Sequence, residues 1–271
     1  MRNEVKQNPP LPVVGKQIVL QLPYKGESAL RLSANVLRRV ILGLGWAVLS
    51  AAPGVPAAGA APAFRPLTNG EKLTYKLIWP SGVSLGEAVM EASPSGAETH
   101  FQVTVEINLP QYALRHSSSS VAAGEALCSL RFHQETGEGA KKWWEESVEF
   151  DQAAHEVHRT RDGQTTTASI AACAQDPLTF IYYFRSRLAE GKPPDSGTLY
   201  RGENFNVRVR KAGTETVAFR GQQRTAEKYV VTFPSQNQEM TIELWISTDA
   251  ERVPVRVRVP SPLAVFTAEL Q

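Results

Sequence analysis

The chain is poor in the residues that build metal and redox centres: two cysteines, five histidines and three methionines in 271 residues. Cys128 and Cys173 lack metal-ligand spacing, and His155 and His158 are the only close histidine pair. On a strand those two rings point to opposite faces, and the i, i+4 helical spacing of a zincin is absent. No metal site and no cofactor is therefore read. Long apolar runs are missing as well. The run Val40–Leu49 is shorter than the roughly 20 residues a spanning helix needs. Charge of one sign is also lacking: 29 basic residues stand against 27 acidic ones. Seven of the basic and two of the acidic residues lie in 1–61, so the rest carries 22 against 25. Nothing in that balance points to nucleic acid or to an anionic membrane surface.

What is present divides the chain into three. Residues 1–30 hold Pro9, Pro10, Pro12 and Pro23 and no periodic pattern, and read as a mis-called start or a disordered extension. Residues 31–61 run from Arg31, Arg38 and Arg39 through the short apolar core to the small-residue site Ala58-Gly59-Ala60. That order of basic, apolar and small residues describes a secretory signal peptide cleaved near Ala60 or Ala61. No cysteine near the cleavage region offers a lipid anchor. Residues 62–271 then form one domain, large enough for a real core. The expected location is periplasmic or secreted, with no transmembrane segment in the mature chain.

That domain alternates apolar and polar residues at period two. Leu73, Tyr75, Leu77 and Trp79 share one side of a strand; Phe101, Val103, Val105, Ile107 and Leu109 share another. Similar rows are Ala126–Phe132, Trp144–Phe150, Phe205–Val209, Tyr229–Phe233, Met240–Ile246, Val253–Val259 and the terminal Leu263–Leu270. One-sided alternation means antiparallel strands with one packed face. About ten such strands curl or close. The predicted fold is mainly β: a curled antiparallel sheet or open β-barrel, with a two-sheet sandwich as the alternative.

One helix interrupts the strands, over residues 176–190. Asp176 is an N-cap, Pro177 suits the first helical position, and Gly191 stops the run. At 100° per residue Leu178, Ile181, Tyr182, Phe184 and Leu188 make one apolar stripe, and Arg185 falls inside it. A buried guanidinium must be paired, must meet a ligand, or must snorkel out past Tyr182. Arg185, Tyr182 and Tyr183 are thus candidate ligand-binding residues. So are Trp143 and Trp144, which alternation sends to opposite faces of one strand, where an indole stacks on a sugar or packs across strands.

Other features have milder readings. Gly82-Val83-Ser84-Leu85-Gly86 matches a nucleophile elbow, but it sits between strands and no helix follows, so no catalytic residue is assigned. Cys128 and Cys173 form either a disulfide of an exported chain or a pair of buried thiols. Arg208, Arg210, Arg252, Arg256 and Arg258 form a basic stripe only if their two strands are neighbours.

Several landmarks recur in one family. They are Gly70-Glu71-Lys72-Leu73-Thr74-Tyr75, Leu130-Arg131-Phe132, Asp176–Thr179 with Tyr183-Phe184-Arg185, Glu243–Ser247 and Arg252–Val255. Together, over about residues 67–270, they resemble the bacterial exported family catalogued as domain of unknown function 3108. The resemblance implies a β-rich envelope domain without an established activity. The expected function is non-enzymatic, binding a lipid-like, glycan-like or protein partner. The alternatives are a hydrolase of envelope polymers and a structural assembly factor.

Overall fold

The computed structural model describes residues 64, 66–109, 112–138, 141–219, 221–234, 239–260 and 265–271. The expected extension and signal peptide lie outside the described residues. A single turn of helix, α1 (Pro66–Asn69), leads into eight strands that follow one another as hairpins. They are β1 (Glu71–Ile78), β2 (Ser84–Ser95), β3 (Glu98–Leu109), β4 (Tyr112–Ala123), β5 (Cys128–Glu138), β6 (Lys141–Asp151), β7 (Glu156–Arg161) and β8 (Gln164–Ser169). Helix α2 (Pro177–Ala189) follows. Then come β9 (Ser196–Tyr200), β10 (Asn204–Phe219), β11 (Gln222–Phe233), β12 (Met240–Ser247), β13 (Pro254–Pro260) and β14 (Val265–Leu270).

All fourteen strands belong to one antiparallel sheet, in the order β8 to β1, then β14 to β9. Two expectations change. The strands number fourteen rather than about ten, and the sandwich is excluded because there is no second sheet among the described residues. The sheet curls but does not close: β8 and β9 remain its two ends. The chain around α2 spans the gap between those ends. Gln175 bridges Leu199 of β9, and the Asn204 side-chain amide donates to the Ser169 carbonyl of β8.

Inside the curl lies α2. Asp176 caps it in an extended conformation, with Pro177 entering its first turn, and Gly191, at φ 72°, donates to the Leu188 carbonyl. Its packing differs from a single stripe. Thr179, Phe180 and Ser186 are buried along with Leu178, Tyr182, Phe184 and Leu188, and Ile181 is only half-buried. A helix on an open sheet shows one wet face; this one is wrapped, because the sheet bends around it. Leu178 and Tyr182 join the cluster of Phe101, Phe132, Val148 and Phe150, while Phe180, Phe184 and Leu188 meet Val207, Tyr229 and Ile246. The fit is close. A side chain on Gly197 of β9 would begin 2.5 Å from the Phe180 ring.

The Gly82–Gly86 stretch is the β1–β2 turn and the start of β2, not a strand-to-helix elbow. Gly86 is there for space: a Cβ would fall 1.9 Å from the Glu106 carbonyl of β3. His155 lies in the β6–β7 turn and His158 is exposed on β7, so the pair does not converge. The five arginines form no common stripe, since β11 and β12 separate β10 from β13. Arg208, Arg252, Arg256 and Arg258 instead reach Glu239, Glu227, Glu269 and Glu243.

Candidate functional site

Two polar groupings stand on the inner side of the sheet. The first anchors the helix. Asp176 is wholly buried, and its Oδ1 accepts from the amides of Leu178 (2.8 Å) and Thr179 (3.0 Å). Its Oδ2 accepts from the hydroxyls of Ser120 (2.5 Å), Ser129 (2.7 Å) and Thr179 (2.8 Å). A buried carboxylate is tolerated when its lone pairs are met this way. Just ahead of it, Cys173 is joined to Cys128 of β5 in a disulfide. Gln152 and Gln175 fasten the same lead-in to the backbone at Ala126, Leu127, Ser129 and Ala174. Asp176→Ala removes the cap and the acceptor of three buried hydroxyls, of which Ser120 and Thr179 keep only each other. Since a cap is worth about 1 kcal/mol and a stranded buried donor about 1–3, a loss of about 2–3 kcal/mol is expected in urea unfolding, with Asp176→Asn recovering part of it.

At the far end of the helix Arg185 has no exposure to solvent. Its two terminal nitrogens donate to the two oxygens of Glu71 on β1, at 2.6 and 2.7 Å. Nε donates to the Arg252 carbonyl (2.9 Å) and Nη2 also to that of Glu251 (3.1 Å). The rings of Phe64 and Tyr182 lie 5.3 and 5.1 Å from the guanidinium carbon. Burial alone would lower the Arg185 pKa, but the Glu71 carboxylate outweighs it and holds the pKa above its ordinary value. Tyr182 stacks on Phe101 of β3 at 4.3 Å. The Tyr75 and Tyr182 hydroxyls are buried without hydrogen-bond partners among the described residues. Burial drives both phenols above their ordinary range, so both stay neutral. Tyr183 is half-buried between the two apolar clusters.

The second grouping lies further along the inner wall, on β4 to β7. Strand register places His116, Ser118 and Ser120 of β4 opposite Thr136, Gln134 and Phe132 of β5. Trp144, Glu146 and Val148 of β6 face that row, and Arg161 and Arg159 of β7 follow. Glu146 is buried. Its Oε2 takes both Nε and Nη2 of Arg159, and its Oε1 takes Gln134 (3.1 Å). Both His116 ring nitrogens are engaged, by Thr136 and Ser118 at 2.8 Å each. Trp144 is half-buried beside His116, with Arg161 over its ring at 5.4 Å. From the β9–β10 turn Arg201 enters this region. Burial lowers the pKa of His116, helped by the charge of Arg201, and burial lowers that of Arg201 against the pull of Glu146.

Of the five candidate residues, the structure puts Arg185, Tyr182 and Tyr183 on the wrapped helix. It puts Trp144 on the half-open polar wall. Trp143 does not project alone from the opposite face: it packs, half-buried, against the cluster of Leu85, Ile107 and Leu114. The sequence reading missed Glu71, Glu146, Arg159, Arg201 and His116. A signal existed for Arg159 and Arg161, which alternate in phase with the buried Val157. None existed for Glu71, 114 positions from its partner. On the outer face His133, Glu135 and Glu145 bring possible ligand atoms within 4.8 Å of one another. Lys142 already bonds both carboxylates, at 2.7 and 3.1 Å, so its ammonium stands where a cation would.

A family model described as "Protein of unknown function (DUF3108)" matches residues 72–271. Among solved structures, the chain is similar to a β-barrel-like protein of domain of unknown function DUF1849 from Brucella abortus. That likeness covers 74% of this chain and 94% of the other, with a TM-score of 0.55 and 10% identity, and it concerns the fold alone. No curated protein matches the sequence.

Proposed function

From the premise that the chain belongs to the DUF3108 family, whose model spans residues 72–271, we propose a non-enzymatic binding protein of the cell envelope whose ligand is glycan-like. One observation carries this reading. The inner wall of the curl turns polar and half-open around Trp144, His116 and Gln134, where a folded protein normally hides apolar side chains. An indole flanked by hydrogen-bonding groups suits a sugar ring. In this reading Arg185 and Tyr182 hold the helix in place rather than touch the ligand.

The other readings find less support. Carriage of an apolar ligand needs room, and α2 fills the curl. Two surface hollows lined by described residues, of about 230 and 260 Å³, fall below the usual range of ligand pockets. A glycosidase needs two inward carboxylates about 5–9.5 Å apart. The wall offers Glu146, and Arg159 already holds it. Export accords with the disulfide, which persists in oxidising compartments.

Native mass spectrometry of the protein expressed in the periplasm tests the proposal. The expected result is a species heavier than the polypeptide, with the added mass that of an oligosaccharide. A bare polypeptide, together with no melting shift on adding envelope glycan fragments, would overturn it.

A further inference from the structure

The two ends of the sheet are not alike. At β9 the edge is taken: Gln175 bridges Leu199, the Tyr200 amide donates to the Gln175 carbonyl (2.8 Å), and Leu199 and Tyr200 are buried. At β8 it is bare. The Ile170 amide donates to the His155 carbonyl at 2.8 Å, which fixes the phase of the β7–β8 ladder. Ala168, Thr166 and Gln164 therefore bond to β7, while Thr165, Thr167 and Ser169 turn their N–H and C=O groups away from it. Asn204 meets the Ser169 carbonyl. Nothing among the described residues meets the backbone of Thr165 or Thr167 on that side.

The edge also lacks the usual protection. Sheet edges are ordinarily blunted by lysine, proline, a bulge or a covering segment. Gln164–Ser169 holds no charge and no proline, pairs with β7 without a register shift, and is exposed at every residue but Ala168. What fits such an edge is a second copy of itself. Laid antiparallel about a two-fold axis at Thr166, β8 sets Thr165 against Thr167 of the other copy, and each such pair exchanges both its hydrogen bonds. Gln164 then meets Ala168 and Thr166 meets Thr166, so threonine faces threonine and no like charges are brought together. A foreign peptide would instead need pockets for its alternate side chains. The flanking Thr160 and His158 offer none, being held by Thr165 and Thr167 at 2.9 and 3.1 Å.

We propose that β8 is a self-association edge, at which two copies join their sheets into one. Gln164, Thr166 and Ala168 share a face with Arg161, Arg159 and the buried Val157. The pairing therefore keeps both inner faces on one side and sets two polar walls next to each other.

The test uses the protein as expressed in the periplasm. The contact is small, so association is expected to be weak and to grow with concentration in sedimentation velocity. Thr166→Cys offers a sensitive readout. At the axis two Cα atoms stand about 4.5 Å apart, within reach of a disulfide. Mild oxidation is expected to give a covalent dimer, whereas Thr216→Cys, exposed on β10, gives none. Thr167→Pro removes an outward N–H and spares the β7 ladder; it is expected to weaken association at least about tenfold. Thr166→Lys and Thr166→Glu should each weaken it as much, through like charges at the axis, and mixing the two should restore it. A monomer at every concentration, with no Thr166→Cys dimer, would overturn the inference. So would a dimer indifferent to Thr166→Lys and Thr167→Pro, which would place the contact on another surface. Loss in both charged variants that mixing does not restore would give β8 a different strand partner and sink the two-fold pairing.

Discussion

Replacing Arg185 by methionine is expected to lower the folding stability by about 3–5 kcal/mol, the cost of breaking a buried ion pair by removing one partner. The reason lies with what remains. Glu71, with a side chain only 11% exposed, would keep its charge and lose the two N–H groups that meet it. The carbonyls of Glu251 and Arg252 would lose donors too. Chemical denaturation gives the number directly. A second variant, Arg185→Met with Glu71→Leu, is expected to regain most of the loss, because an apolar pair of similar volume replaces a buried ion pair at little net cost. An unfolding midpoint unchanged in the single variant would show that the pair does not pin α2. If binding were lost with it, Arg185 would move from the helix anchor to the ligand site.

Reduction of the Cys128–Cys173 disulfide is expected to cost nearly as much. The bond closes a loop of about 46 residues, for which chain entropy gives roughly 4 kcal/mol. The site of the bond matters as much as its loop length. Cys173 stands three residues before Asp176, so breaking it frees the lead-in to α2 while the Gln152 and Gln175 hydrogen bonds remain. The loss should therefore show first as looser packing of the helix: a falling melting temperature and a rising near-ultraviolet change at the aromatic residues around Tyr182. Two thiols that react with maleimide in the native, unreduced protein would end this account.

Much of this molecule can be read from its residues. The apolar rows of β1 and β3 alternate cleanly, because one face of each meets the core. Asp176-Pro177 announces the helix through capping chemistry alone, and helical phase sends Arg185 inward. What escapes the sequence has physical reasons. The middle of β4, His116 to Ser120, is polar on both faces, because its inward side chains serve Asp176, Thr179 and Thr136 instead of an apolar core. The β7–β8 hairpin is short and largely exposed, so it lacks an apolar row. These omissions account for most of the gap between ten strands and fourteen. Partners distant in sequence leave no trace at all. Glu71 looks like any surface glutamate until β1 is laid beside the helix.

The sheet order has a consequence for timing. Twelve of its thirteen strand pairs join neighbours in sequence, and the exception is β1 with β14, where Tyr75 meets Leu270 and Ile78 meets Thr267. That junction lies in the middle of the sheet. Until the last strand arrives, β1 and β13 are both bare edges, and the molecule exists as two half-sheets open to wrong pairing. Loop closure across almost the whole domain makes this the slowest contact to form. A chain made from its N-terminus completes β1 long before residues 265–270 exist to pair with it.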